Sequence, residues 1–220
     1  MANSLLPPSP GEQRAHMVTG QLRTSDIHED SLLAAFFDVP RERFVTSSLA
    51  RLAYLDQDQL ASGPPGRKLL APRTLALLLQ AAAIKPAERA LDVGGGSGYG
   101  AALIAHMGGA VVLLETDVSA ARAALADVAG TEFVEGDLAQ GAPVQKPFDV
   151  ILIHGAVEKP PSALLNQLSE NGRLVALDAR EGSARGVIFE RSAAGFSERG
   201  LFDAKSDVLE AFRAAPSFAF

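Results

Sequence analysis

The stretch LDVGGGSGYG, residues 91–100, places five glycines in ten positions directly after an apolar run. Glycine is entropically costly inside a folded domain, so such a cluster marks a backbone that something approaches closely or that needs positive φ. A strand that ends in this turn and opens a helix leaves free N–H groups at the helix start, which favour a negative group. The candidates are a phosphate, a dinucleotide or another nucleoside cofactor; the plain alternative is a tight turn. No Lys–Ser/Thr pair follows the glycines, so this is not a P-loop. As a dinucleotide fingerprint it is imperfect: Gly96, Gly98 and Ala101 fit a looser G-x-G-x-x-A form, but the turn has already begun at Gly94. Two acids stand at useful distances. Glu115 closes the next apolar run, 21 residues past Gly94, near the roughly 20-residue interval at which an acid meets ribose hydroxyls. A carboxylate can accept from both hydroxyls and repels a 2′-phosphate. Asp137, in EGDLAQG after the third run, is placed for an adenine edge. Without a ligand, Glu115 reads as a solvated strand end and Asp137 as a turn former.

The elements that must hold these residues follow from the texture of the chain. RALDV (89–93), AVVLLE (110–115), TEFVE (131–135), FDVILIH (148–154) and GRLVALD (172–178) are short apolar runs. YGAALIAHM (99–107), VSAARAALADV (118–128) and PPSALLNQLSE (160–170) lie between them and read as helical. Alternation of this kind predicts βαβ units and a parallel sheet. GVIFERS, GFSERGLFDA and SFAF predict further strands, antiparallel at an edge. PRTLALLLQAAAI (72–84) is a strong helix with Pro72 in its first turn, and SGPPGRK (62–68) is a loop. Ser25 or Asp26 is the expected N-cap of an earlier helix that ends before Pro40. The expected fold is α/β, a doubly wound and mostly parallel sheet with a helical N-terminal extension and antiparallel C-terminal edge strands. Residues 1–70 form the extension and a substrate-side loop, and residues 71–220 the cofactor-binding domain, in one compact unit.

Composition narrows the classes. The 220 residues are 47% hydrophobic and carry a net charge of −6, which suits a single cored domain and argues against a phosphate-backbone binder. No nucleic-acid partner is expected. There is no cysteine, so disulfides, thiolate nucleophiles and Cys-based metal sites are excluded. The N-terminus lacks the pattern of a signal peptide, and the longest apolar run, LALLLQAAAI, is too short to span a bilayer. A soluble cytoplasmic chain without membrane contact is the expectation. The histidines His16, His28, His106 and His154 show no metal-ligand spacing, and no metal is expected. His154 is expected just after the fourth strand, facing the cofactor side of the sheet, either as a base or substrate contact or as a loop histidine without chemistry. Asp149 reads as structural, Phe36, Phe37 and Phe44 as core, and PSFAF (216–220) as a terminal strand or interface segment.

The spacing D-x-G-x-G-x-G from Asp92 to Gly98 is the pattern of S-adenosylmethionine (SAM) methyltransferases, whose Rossmann-like domain lays the methionine part of the cofactor against that turn. With RAHMVTGQL (14–22), VPRERFV (39–45), AY (53–54) and LLNQLSENGRLV (164–175) added in this order, the chain resembles the protein-L-isoaspartate O-methyltransferases from about residue 14 to about 204. The resemblance implies methyl transfer from SAM to the α-carboxyl of an isoaspartyl residue in a damaged protein. The ester then collapses to a succinimide that can reopen to normal aspartate. It also implies cofactor contacts at Gly94, Gly96, Gly98, Glu115 and Asp137, and a catalytic-site place for Asp92. Catalysis would be alignment of carboxylate oxygen, methyl carbon and sulfur with water excluded, with no metal.

One position departs. Members of the family read like G-Q-T-I-S-Q-P before the first long helix, and the serine is their active-site hydroxyl. Here the stretch is GRKLLAP (66–72), with Lys68 at the threonine position and Leu70 at the serine position. The expectation is an apolar wall at Leu70, weak transfer to isoaspartyl peptides, and a gain on Leu70→Ser. Arg67 and Lys68 either bind an anionic substrate or are solvated loop charges. The alternatives to isoaspartyl repair are a diverged relative acting on another substrate such as a small acid, a SAM-binding sensor or partner protein without catalysis, and a nicotinamide oxidoreductase.

Overall fold

Runs apolar on both faces can be buried only in the middle layer of a stack. The computed structural model, which describes residues 7–159 and 161–215, puts them there. The N-terminal part carries α1 (Pro10–His16), capped by Ser9 and Glu12 in a reciprocal capping box, and α2 (Asp30–Asp38). A small antiparallel hairpin follows, β1 (Gln59–Leu60) and β2 (Lys68–Leu69), and then α3 (Pro72–Ala82). Beyond it come β3 (Arg89–Val93), α4 (Tyr99–His106), β4 (Ala110–Glu115), α5 (Ser119–Ala124) and β5 (Thr131–Glu135). The chain continues through β6 (Phe148–Val157), α6 (Ser162–Leu165), β7 (Leu168–Asp178), β8 (Arg185–Ser192) and β9 (Gly195–Asp203).

The main sheet has seven strands in the order β5-β4-β3-β6-β7-β8-β9. Its first five strands are parallel; β8 and β9 return antiparallel, as the tail residues imply. From β3 the chain builds outward to β4 and β5, then crosses back to β6 on the other side of β3. That reversal is the topological switch point, where open α/β sheets bind ligands at the carboxyl ends of the strands. Alternation sorts the side chains. Ala90, Leu113, Val150 and Leu152 face a core shared with Met17, Leu22, Phe36, Leu75 and Leu103. Leu91, Val93, Leu114 and Ile153 face a second core closed by Leu138, Leu164, Leu209 and Phe212. The N-terminal residues thus share one core with a face of the sheet.

Several boundaries differ from expectation. The residue at the N-cap of α2 is Glu29 rather than Ser25 or Asp26. Asp26 instead takes a left-handed φ of 62° after a short 3-10 turn, a conformation that Asp tolerates. The helix expected over 118–128 stops at Ala124, where the Arg43 guanidinium takes the Ala124 carbonyl at 3.1 Å and pairs with Asp127. The helix expected over 160–170 shrinks to four residues, because β7 begins early at Leu168. Phe36 and Phe44 are buried, but Phe37 is 49% exposed on the outer side of α2. Residues 216–220, the PSFAF segment, lie outside the described residues.

Candidate functional site

The glycine loop leaves β3 at the switch point. Gly94, Gly96 and Gly98 all have positive φ, between 62° and 89°. At two of them nothing larger fits: a Cβ on Gly96 would lie 2.7 Å from the Ala61 Cβ, and one on Gly98 2.7 Å from Leu125 Cδ1. The hairpin loop between β1 and β2 therefore rests directly on the glycine turn. Phe44 helps hold it there, its carbonyl accepting from both Ser62 N and the Ser97 hydroxyl.

Glu115 ends β4 with no solvent exposure. The carboxylate is satisfied on both oxygens. Oε1 accepts from Arg67 Nη2 at 2.7 Å, Thr116 N at 2.8 Å and the Thr116 hydroxyl at 3.2 Å. Oε2 accepts from Arg67 Nε at 2.8 Å and Gly96 N at 3.1 Å. Arg67 is thus neither a solvated loop charge nor free for an anion; it forms a bidentate ion pair with the acid expected to meet a ribose. Lys68 is paired as well, with Asp207 at 2.6 Å. Asp137, two residues past β5, is exposed, and its Oδ1 accepts from Ala139 N at 2.9 Å, a local turn bond. Gly94, Glu115 and Asp137 stand at the carboxyl ends of three neighbouring parallel strands.

His154 is not a loop residue. It lies within β6 on the same face as Val150 and Leu152, buried, with Nε2 2.5 Å from Asp92 Oδ1 across the β3–β6 boundary. Asp92 is equally buried. Asp92 Oδ2 and His154 Nδ1 have no hydrogen-bond partner among the described residues, an arrangement that natural cores rarely leave without a purpose. The sequence signal was present in FDVILIH: period-two alternation turns His154 inward with Val150 and Leu152, at the level of the acid that opens the glycine motif.

A pocket of about 370 Å³ opens beside the loop, lined by Gly66, Arg67, Lys68, His154, Leu209 and Arg213 among others. A larger furrow of about 650 Å³ has Asp56, Asp58 and Asp203 in its walls; neither cavity is lined by Gly94–Gly98, but the smaller one is walled by Arg67 and His154, which contact Glu115 and Asp92. Leu70 lines neither. Its side chain is 1% exposed within the core, and its carbonyl accepts from Arg41 Nη2 at 2.8 Å. The expected apolar wall at Leu70 is therefore corrected: the residue packs inward, away from the pocket. Arg41, from VPRERFV, is fully buried; it also donates from Nε to Ala53 O at 2.7 Å and lies 5.0 Å over the Tyr99 ring. Burial pulls its guanidinium below the ordinary pKa, partly offset by nearby Tyr99 and Asp58. That motif is a brace tying residues 41–54 to the loop before α3, a role that sequence reasoning missed.

Residues 12–195 match the family model described as Protein-L-isoaspartate(D-aspartate) O-methyltransferase (PCMT). The chain belongs to this family. Its members include proteins named protein-L-isoaspartate O-methyltransferase from Methanoculleus marisnigri, 37% identical over 74% of this chain and 76% of that protein, and from Methylorubrum extorquens, 41% identical over 76% of this chain and 75% of that one. A protein-L-isoaspartate O-methyltransferase 2 from an Anaeromyxobacter species is 37% identical over 88% of this chain and 81% of its own length. Among solved structures, a putative member from Plasmodium falciparum, in complex with S-adenosyl-L-homocysteine, superposes with a TM-score of 0.76 at 20% identity over 93% of this chain and 99% of that one. At that identity the likeness establishes the fold. No helix among the described residues is long and apolar enough to cross a membrane, and no cluster of three or more metal-ligating side chains is present among them.

Proposed function

We propose that this chain is a SAM-dependent methyltransferase acting on the α-carboxyl of isoaspartyl residues in proteins, in the cytoplasm. One observation carries the reading: Gly94–Gly98, Glu115 and Asp137 occupy the carboxyl ends of three adjacent strands at the switch point. The residues fit the cofactor. The turn can be approached at its bare backbone, Glu115 is held where a ribose diol would meet it, Asp137 is open, and Asp92 keeps one buried oxygen without a partner. When bound, SAM supplies a methyl group already activated on a sulfonium.

The chain's own part is binding and alignment. Gly94, Gly96 and Gly98 would hold the cofactor against the backbone, Glu115 would take its ribose, and Asp137 would stand at the adenine end. Of the described residues, those up to 70 would cover the acceptor side and those from 71 would form the cofactor-binding unit. Arg67, Lys68 and Arg213 stand along the pocket, each held by a carboxylate of the chain, Glu115, Asp207 and Glu210, and the acceptor carboxylate would need no deprotonation. Holding oxygen, carbon and sulfur in line with water excluded contributes the rate. The test is transfer of tritiated methyl from SAM to an isoaspartyl peptide and to the same peptide with normal aspartate. Base-labile label on the first alone is the expected result. Binding of S-adenosylhomocysteine without transfer to either peptide would reject the enzymatic reading.

A further inference from the structure

We infer that Arg67 is a two-position residue: it guards the ribose acid until the cofactor arrives and then binds the carboxylate of the methyl acceptor. This rests on the cofactor reading above. A carboxylate offers about four lone-pair sites, and Glu115 already accepts five contacts. Those from Gly96 and Thr116 come from the loop itself and the adjoining residue. The two from Arg67 come from the end of a long side chain. A ribose diol can therefore reach Glu115 only by displacing the guanidinium. The Arg67 backbone is tied into the hairpin, Ala61 N donating to its carbonyl at 2.9 Å and its own N–H donating to Pro64 O at 3.1 Å. The displacement is then a rotation of the side chain, with the hairpin staying in place.

The pocket decides where the guanidinium goes. Arg67 already forms part of its wall beside Lys68, His154 and Arg213. Lys68 is held by Asp207 and Arg213 by Glu210. A released Arg67 would be the cation of that wall that has lost its carboxylate, and a planar fork is suited to bidentate capture of another one. With Leu70 turned into the core, no hydroxyl stands at the position where the family places one. Arg67 takes over that orienting task. The order of events follows: cofactor first, acceptor second, each tightening the other.

Isothermal titration on the full chain tests this with S-adenosylhomocysteine and an isoaspartyl peptide as probes. Arg67→Gln should bind S-adenosylhomocysteine about five-fold or more tightly than the parent, within the usual range of site coupling. In the parent, saturating S-adenosylhomocysteine should tighten the peptide, and saturating peptide should tighten S-adenosylhomocysteine by the same factor, since coupling is reciprocal. Arg67→Gln should lose that gain. Arg67→Lys, which keeps the charge but not the fork, should fall between. If Arg67→Gln binds S-adenosylhomocysteine no tighter than the parent, or the parent binds peptide equally with and without it, the two-position role is wrong. A parent that does not bind S-adenosylhomocysteine at all would remove the cofactor reading itself.

Discussion

Leu70→Ser separates the structural account from a reading by motif alone. By motif, the substitution restores a missing active-site hydroxyl and raises turnover. In the structure, Leu70 is 1% exposed, packed in the core, with its backbone carbonyl holding Arg41. Truncating a buried leucine to the size of alanine costs about 2–5 kcal/mol. A hydroxyl left there without a partner adds about 1–3 kcal/mol. The sum, on the order of 3–8 kcal/mol, is a large share of the roughly 5–15 kcal/mol that keeps a domain folded. At roughly 2–4 °C per kcal/mol for a chain of this size, the melting midpoint should drop by about 6–32 °C. Urea and thermal unfolding followed by circular dichroism give the stability, and peptide methylation well below the new midpoint gives the activity. Turnover is expected to stay at or below that of the parent. A loss of under about 1 kcal/mol together with faster turnover would show that Leu70 faces the acceptor, and the core assignment would be refuted.

Gly98→Val forces a branched side chain onto a φ of 89° and into Leu125 and Leu113; it should abolish S-adenosylhomocysteine binding and lower the unfolding midpoint, and a variant that melts and binds like the parent would contradict the packing of the loop. Acid stability supplies a further test. Burial alone would raise the Asp178 carboxyl, but hydrogen bonds and charge from Arg180, with Arg185 nearby, outweigh it and hold it below the ordinary 3.8. A depressed folded pKa means stability that is present above 3.8 and is lost as pH falls through the folded value. Asp178→Asn should therefore flatten the decline in unfolding free energy below about pH 4, and parallel acid limbs for parent and variant would argue against the pairing.

Much of the fold was legible in the residues because alternation of branched strands with alanine-rich segments leaves few topologies open. The parallel strands, the switch-point loop and the antiparallel tail all follow from that pattern. What escaped depends on contacts far apart in sequence. The end of α5 is set by Arg43, 81 residues away from the Ala124 carbonyl it takes. His154 meets Asp92 only because β6 crosses back to pair with β3. The inward turn of Leu70 and the burial of Arg41 are one brace, invisible to a motif that records which residue is present and not which way it points. For Arg67 the sequence offers anion binding or solvent, and the ion pair with Glu115 is a third state that spacing cannot reveal.

The central claim is that the cofactor lies on the glycine turn with its ribose on Glu115, and titration of S-adenosylhomocysteine into the parent, Glu115→Ala and Gly96→Val tests it most directly. Removing a charged acceptor from the ribose should cost about 1–3 kcal/mol, which is roughly five- to 150-fold in Kd. Gly96→Val, which drives a side chain toward Ala61 and Arg67, should weaken binding at least as much. Saturable binding by the parent with both losses is the expected result. Parent-like binding by both variants would put the cofactor elsewhere and contradict the account.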